Sequence, residues 1–296
     1  DAPVKYPVNE DDELLDRPRR YRYQKYGVWH RAGLLQPIEG MPEEDVAKCG
    51  KCADMIAEFM DPKILAGLGL ESHGNSDGKK TAPSVISSHE RDQRIRNTYA
   101  MVDLIDQGIG KMLSALEETG ELDNTVIVFL SDHGELMGDH GTWLKGPFFY
   151  DGLVQTPLLI RAPGRTGTET DALVSSIDLF PTCCELLNIP VPYQCDGVSQ
   201  TPAYDGSTPR TECLIEYRNG YLSNDDYTLV YVDKDYKFSQ DQNGEFEMTD
   251  RKQDPEENVN ILANGQNPEL LNEYRSKLLQ MLLSTASRFP KQYCHA

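Results

Sequence analysis

The chain predicts an α/β fold: a mostly parallel sheet flanked by helices, followed by a small antiparallel sheet with a C-terminal helix. Three observations predict it. A long amphipathic pattern from Arg91 to Glu118 leads through a short polar link into the apolar run Val126-Ile127-Val128-Phe129-Leu130, which is the order of an αβ unit in a parallel sheet. A second apolar run, Pro157 to Arg161, is followed by a helical pattern. Past a stretch dense in Pro and Gly, β-rich runs separated by turn residues then lead into a terminal helix.

Taken in order, residues 1 to about 45 are rich in Pro, Tyr and charge, with the basic cluster Arg17-Pro18-Arg19-Arg20-Tyr21-Arg22-Tyr23 read as surface segment or substrate-facing loop. Glu71 to Lys80 is polar and Gly-containing, an exposed loop. Between Arg91 and Glu118, Ile95, Tyr99, Val102, Ile105, Ile109, Met112, Leu113 and Leu116 recur at three and four, and Gly120 stops the helix. The strand at 157–161 ends at Pro163-Gly164, and a helix from about Asp178 to Leu187 carries Pro181 near its first turn. Pro190 to Pro209 is the expected boundary, giving domains 1–210 and 211–296. Strands are expected at Glu212–Tyr217, Tyr227–Val232 and Glu245–Met248, with turns at Asn219-Gly220 and Asn243-Gly244. The last helix has Asn267 as cap, Pro268 at its first position, and Leu271, Tyr274, Leu278, Met281 and Leu282 on one face.

Composition limits the function classes. With 296 residues and 39% hydrophobic content the chain can bury a sizeable core. A net charge of −19 argues against nucleic acid and opposes an anionic substrate at long range, so any anion site must be local. No run reaches the ~20 apolar residues of a membrane helix, so no membrane span is expected. Seven Cys without a framework spacing lean towards a reducing, cytoplasmic compartment. Cys49 and Cys52 have the spacing of half a zinc site, but no second pair of that kind follows, so a reduced, incidental pair is the reading.

The chemistry concentrates after the first strand. Val126 to Leu130 stops at Ser131-Asp132-His133-Gly134-Glu135, and Gly138-Asp139-His140-Gly141 and Lys145 follow closely. An Asp and a His side by side at the carboxyl end of a strand suit a metal site, although taken alone they also describe a cap and a hydrogen-bonded core His. Lys145 alone reads as a solvated loop Lys, and His140 reads equally as a pocket contact or as loop packing.

The words around these residues extend further. Ser131 to Gly141, Lys145 and Thr156-Pro157-Leu158-Leu159-Ile160-Arg161-Ala162-Pro163-Gly164, with Tyr99, Asp103 and Asp106 upstream, resemble the sulfatase family of the alkaline-phosphatase superfamily. Ile177-Asp178-Leu179-Phe180-Pro181-Thr182 and Asp254-Pro255-Glu256-Glu257-Asn258 continue the likeness, which covers roughly residues 90 to 262. It implies a sulfate-ester hydrolase acting on a small-molecule or carbohydrate sulfate, with Asp132 and His133 as ligands to Ca²⁺ or Mg²⁺ and Lys145 on the sulfate, with His140 beside it. A phosphonate monoester or phosphodiester hydrolase of the superfamily is the alternative, as is a non-catalytic accessory domain.

The family's other half is not found. Its formylglycine motif, Cys or Ser followed two residues on by Pro and four on by Arg, is absent, and Ser207-Thr208-Pro209-Arg210 has the wrong spacing. Asp11-Asp12 follows a polar stretch rather than a strand, so it reads as a solvated loop and not as the family's metal-binding pair. His30, His73, His89 and His295 do not match the family's second sulfate-binding His, and Tyr217 and Arg218 are assigned no role. The chain is therefore expected to be the C-terminal part of a longer sulfatase-like protein, partnered by the N-terminal half that carries the formylglycine.

Overall fold

The structure, a computed structural model, describes Arg17 and residues 88–142, 145–193, 195–219 and 226–286. Asp11-Asp12, Cys49 and Cys52, the 71–80 loop, His30, His73, His295 and all of the basic cluster except Arg17 lie outside the described residues, as does the side chain of His89. The chain divides into two compact units. One comprises Asp1–Gly108, His133–Gln155 and Arg218–Asp226; the other comprises Ile109–Asp132, Thr156–Tyr217 and Tyr227–Ala296.

Helix α1, Ser88–Glu118, follows the predicted periodicity and ends at Gly120, whose φ of 73° is a left-handed stop that glycine adopts without Cβ cost. Ile95 is 1% exposed, but Met101, Val102, Leu104, Ile105 and Met112, largely the face predicted to pack, are 56–66% exposed. Among the described residues nothing covers this apolar surface, which is large for a helix face in water.

Strand β1, Ile127–Leu130, pairs antiparallel with β2, Leu158–Arg161, in the register Ile127↔Arg161 to Leu130↔Leu158. The parallel pairing expected for this sheet is therefore not seen among the described strands; the residues between the two return as loop and a single helical turn, α2 (Asp151–Val154). Arg161 clamps the entry to β1, donating to the Leu122 carbonyl at 2.5 Å and to Asp123 Oδ1 at 2.9 Å.

After β2 comes helix α3, Leu179–Leu186, preceded by a 3₁₀ turn at Ser176–Asp178. Asp178 is 0% exposed and fully satisfied. Its Oδ2 accepts from Ser175 N (2.9 Å), Gln200 Nε2 (3.1 Å) and Arg210 Nε (2.7 Å), and its Oδ1 from Val198 N (2.8 Å) and Arg210 Nη2 (2.5 Å). That paired geometry raises the Arg210 pKa, chiefly through its hydrogen bond to Asp178. Arg210, unsuited by spacing to a formylglycine motif, is thus the counter-ion of the Ile177-Asp178-Leu179-Phe180 word. Thr182 joins the same network, donating to the Asp178 carbonyl at 2.6 Å and accepting from Gln200 N at 2.9 Å. Gly197 must be glycine here, since a Cβ would stand 2.0 Å from the Ile177 carbonyl oxygen.

The C-terminal sheet has four strands, in the order β3 (Glu212–Asn219), β4 (Asp226–Asp233), β5 (Tyr236–Asp241) and β6 (Phe246–Asp250), where the sequence predicted three. The missed strand is β5. It carries Lys237, which reads as a surface residue but is 5% exposed and ion-paired with Glu257. Asp233 makes the tight β4–β5 link, its Oδ1 accepting from Asp235 N and Tyr236 N at 2.9 Å each. The Asn243-Gly244 turn forms as predicted, with Asp241 Oδ1 accepting from Asn243 N and Glu245 N at 2.9 Å.

Helix α4, Pro268–Ala286, covers this sheet. Tyr274 and Leu278 join Tyr231, Phe238, Met248 and Leu262 in one core, where the Tyr274 ring meets Tyr231, Tyr236 and Phe238 edge-on at 5.5–6.3 Å. Tyr274 also donates to Asp233 Oδ2 at 2.8 Å. Burial and that hydrogen bond to a carboxylate push its hydroxyl pKa up. The Asp254-Pro255-Glu256-Glu257-Asn258 word proves to be a clasp on β6: Asp254 Oδ2 accepts from Val259 N at 2.8 Å, and Asn260 Oδ1 accepts from Met248 N at 3.1 Å and Leu262 N at 3.2 Å.

Asp178→Ala is expected to cost about 3 kcal/mol in denaturant unfolding, the low end for a broken buried pair, because it leaves the half-buried Arg210 guanidinium without its counter-charge. Arg210→Met should cost a comparable amount, and the double variant clearly less than the two single losses summed. Simple additivity would show that the two residues do not act as a pair.

Candidate functional site

The segment that follows β1 is built from an irregular turn and a close backbone approach. Asp132 is exposed; His133, which opens the next stretch of the other compact unit, is half-buried. Gly134 then donates its N–H to the Leu153 carbonyl at 2.8 Å, and a Cβ at this position would lie 1.9 Å from the Gly152 carbonyl oxygen. Only glycine lets the strand-end loop lie against α2.

Residues 136–142 close on themselves, with Asp139 N on the Leu136 carbonyl at 2.9 Å and Gly138 N on the Thr142 carbonyl at 2.8 Å. Met137, Gly138, His140 and Gly141 all have positive φ. His140 holds φ 52° while 2% exposed, its ring stacked on Tyr150 with centroids 3.6 Å apart and planes 11° from parallel. The guanidinium of Arg17 lies 5.7 Å from the same Tyr150 ring. A left-handed His costs roughly 1–3 kcal/mol of backbone strain, which the buried stack offsets. Phe148, Phe149 and Leu153 complete this small core, at 3–5% exposed.

Lys145 emerges from the turn exposed and reaches back to His133, with Nζ 2.7 Å from Nε2. His133 Nδ1 is 2.9 Å from the Gly134 carbonyl oxygen. A carbonyl only accepts, so Nδ1 carries the hydrogen and Nε2 presents its lone pair to the ammonium.

The structure thus brings together two of the residues singled out in the sequence, His133 and Lys145, twelve positions apart. It places His140 elsewhere, as a buried face packed on Tyr150. Sequence reasoning missed Tyr150, whose signal was the aromatic run Phe148-Phe149-Tyr150 shortly after Lys145; Gly134 was read only as part of the Ser131–Glu135 word, and nothing local announced its close approach to Gly152. Among the described residues no group of three or more His, Cys, Asp or Glu is placed to hold a metal. What Asp132 and His133 offer a cation is a solvent-facing carboxylate and an imidazole whose tautomer is set by the Gly134 carbonyl; both are proper donors, and further ligands would have to come from elsewhere. Cys183, Cys184, Cys195 and Cys213 are unpaired thiols, and burial pushes the Cys213 pKa up to about 11, so it is a poor nucleophile. No helix among the described residues is long and apolar enough to cross a membrane.

Replacing Gly134 by Ala is expected to displace α2 or the His133 loop. The variant should melt several degrees lower and lose the His133–Lys145 contact, seen as a changed His133 ring resonance in NMR. An unperturbed melt and spectrum would show that the close approach is not required.

Comparison with known proteins places this chain in a family. The sulfatase family model matches residues 45–189, and that of the N-sulphoglucosamine sulphohydrolase C-terminal region matches residues 138–284. An N-acetylglucosamine-6-O-sulfatase of Bacteroides thetaiotaomicron is 30% identical over 96% of this chain and 52% of its own length. An arylsulfatase of Clostridium perfringens is 32% identical over 62% of this chain and 39% of its own length. Among solved structures, a protein in complex with its substrate D-glucosamine-2-N,6-O-disulfate superposes with a TM-score of 0.64 and 26% identity, over 96% of this chain and 59% of that one. The phosphonate monoester hydrolase of Agrobacterium radiobacter gives a TM-score of 0.61 and 30% identity, over 70% of this chain and 45% of that one. The chain spans about half the length of the first of these curated relatives and less of the second. It belongs to the sulfatase family of the alkaline-phosphatase superfamily, with the α/β fold of that family.

Proposed function

We propose that the protein containing this chain hydrolyses sulfate esters of carbohydrates, most nearly those of amino sugars, and that this chain supplies the second half of the active site. The observation that carries the reading is the His133–Lys145 contact at 2.7 Å, just beyond the strand end that also bears Asp132, in a sulfatase-family chain. The glucosamine disulfate bound by one structural relative and the N-acetylglucosamine-6-sulfatase activity of another support the sugar class.

Asp132 and His133 are assigned to hold Ca²⁺ or Mg²⁺ together with ligands outside the described residues, and the ion's contribution when bound is Lewis-acid polarisation of the sulfate. Lys145 is assigned to the sulfate oxygens and the developing charge on the leaving oxygen, the task of a preorganised cation. His140 positions rather than touches: its stack on Tyr150 holds the turn that leads to Lys145. The nucleophile, a formylglycine, is assigned to an N-terminal half, with a domain boundary near residue 210 separating the α/β portion from the C-terminal sheet. The same N-terminal half is proposed to cover the exposed apolar positions of α1, and those of the sheet, where Phe129, Leu130 and Leu159 are 39–61% exposed.

A second reading, phosphonate monoester hydrolysis, is favoured by the likeness to the Agrobacterium enzyme. Assay of the intact protein on glucosamine 6-sulfate beside a phosphonate monoester separates the two. Preference for the phosphonate would overturn the sulfatase reading.

In the intact protein, Asp132→Ala should lower bound metal and activity together, with partial recovery in excess Ca²⁺ or Mg²⁺. Lys145→Ala should keep its metal at saturation and lose roughly 10²-fold or more in kcat/KM. Full activity in Lys145→Ala would sink the assignment.

The 296-residue chain by itself is expected to self-associate, bind an apolar dye and lack sulfatase activity. Co-expression with the N-terminal half of a full-length relative should quench the dye signal. A monomeric, dye-silent chain with a cooperative melt would count against a missing partner half.

A further inference from the structure

His133 has one lone pair and two prospective cations. Its Nδ1–H is committed to the Gly134 carbonyl at 2.9 Å, so the only unshared pair on the ring lies at Nε2, where the Lys145 ammonium stands at 2.7 Å. We infer that Lys145 and a divalent cation exclude one another at His133 Nε2: the ammonium occupies the lone pair while the cation is absent, and cation binding turns Lys145 out towards the anionic substrate. The inference rests on the proposed reading of His133 as a ligand.

Which partner moves follows from the fold. His133 is half-buried, its ring tied to Gly134, and Gly134 is itself tied to the Leu153 carbonyl at 2.8 Å with no room for even a methyl group. Lys145 is exposed, on a four-carbon stem that changes rotamer at little cost. Two cations cannot share one in-plane lone pair, and their mutual repulsion adds to the exclusion. The displaced ammonium is then available to a sulfate oxygen. Substrate and metal are thereby coupled through one side chain: the metal frees the Lys, and the Lys, once held by substrate, no longer competes for the ring.

The test is a double-mutant cycle on Mn²⁺ affinity in the intact protein, read by electron paramagnetic resonance without substrate; Mn²⁺ accepts the same carboxylate ligands as Ca²⁺ and Mg²⁺ and tolerates imidazole. Lys145→Ala is expected to tighten Mn²⁺ binding by about threefold to tenfold, the scale of one exposed charge-assisted hydrogen bond. In a His133→Phe background, which keeps a planar ring without a lone pair, the same Lys145→Ala change should bring no gain. His133→Ala serves as the second background if the Phe variant does not fold. A gain that persists without the imidazole would mean that Lys145 acts only as a nearby charge, and no gain in the single variant would mean no competition; either overturns the inference while leaving His133 a ligand. If removal of His133 leaves Mn²⁺ affinity unchanged, the ligand reading itself fails, and the inference with it.

Discussion

The arrangement around the candidate site depends on one steric constraint, the absence of a side chain at position 134. With the Gly152 carbonyl oxygen 1.9 Å from where a Cβ would sit, and the Gly134 N–H on the Leu153 carbonyl, the loop after β1 is held against α2 by backbone alone. That contact presents the Gly134 carbonyl to His133 Nδ1 and so selects the tautomer whose Nε2 lone pair faces Lys145. It also sets the distance over which Lys145 reaches back. The His140–Tyr150 stack stabilises the intervening turn from the other end, so the pair His133 and Lys145 is defined by a backbone approach and an aromatic contact, neither of which belongs to the pair.

The second compact unit solves a different problem, how to bury charge safely. Asp178 is withdrawn from water entirely, yet every one of its contacts is a donor: two backbone amides, an amide side chain and a two-point guanidinium. Desolvation that would otherwise oppose folding is met by charge-assisted hydrogen bonds from four places in the sequence, which ties the start of α3 to the irregular stretch before β3. Lys237 and Glu257 repeat the device between β5 and the clasp, with Glu257 held at φ 56° to reach its partner. Asp233 links sheet and helix: burial raises its pKa, but the Tyr236 and Asp235 amides, the Tyr274 hydroxyl and Lys277 lower it by more, so the net shift is downward. These family words, read in sequence as signatures, are in the fold chiefly solutions to burial.

Much of this was legible residue by residue. The three-and-four periodicity of α1, its stop at Gly120, the apolar runs of β1 and β2, Pro181 in the first turn of α3, the Asn243-Gly244 turn and Pro268 opening α4 all follow from local chemistry, and all form. Strand β5 was not legible because its Lys237 is a core residue only when Glu257, twenty positions on, is there to pair with it. Asn267 caps α4 as predicted, its carbonyl accepting from Leu271 N at 3.0 Å, but its side chain donates to the Ile261 carbonyl at 2.7 Å, a partner that only the fold brings near. The apolar face of α1 was read correctly as apolar, but not as exposed.

By itself the sequence determined the family, all the main elements but β5, and the chemistry on offer: a carboxylate, an imidazole and an ammonium close behind a strand. These are properties of residue identity and short-range spacing, which a linear pattern carries. Only the tertiary structure decided that Lys145 turns back onto His133, that His140 is stacked away on Tyr150, that Arg210 serves Asp178, and that β1 meets β2 antiparallel. Each of these is a meeting between residues distant in sequence, fixed by how closely backbones can approach and by which buried polar group finds a partner, and neither quantity is written in any one stretch of chain.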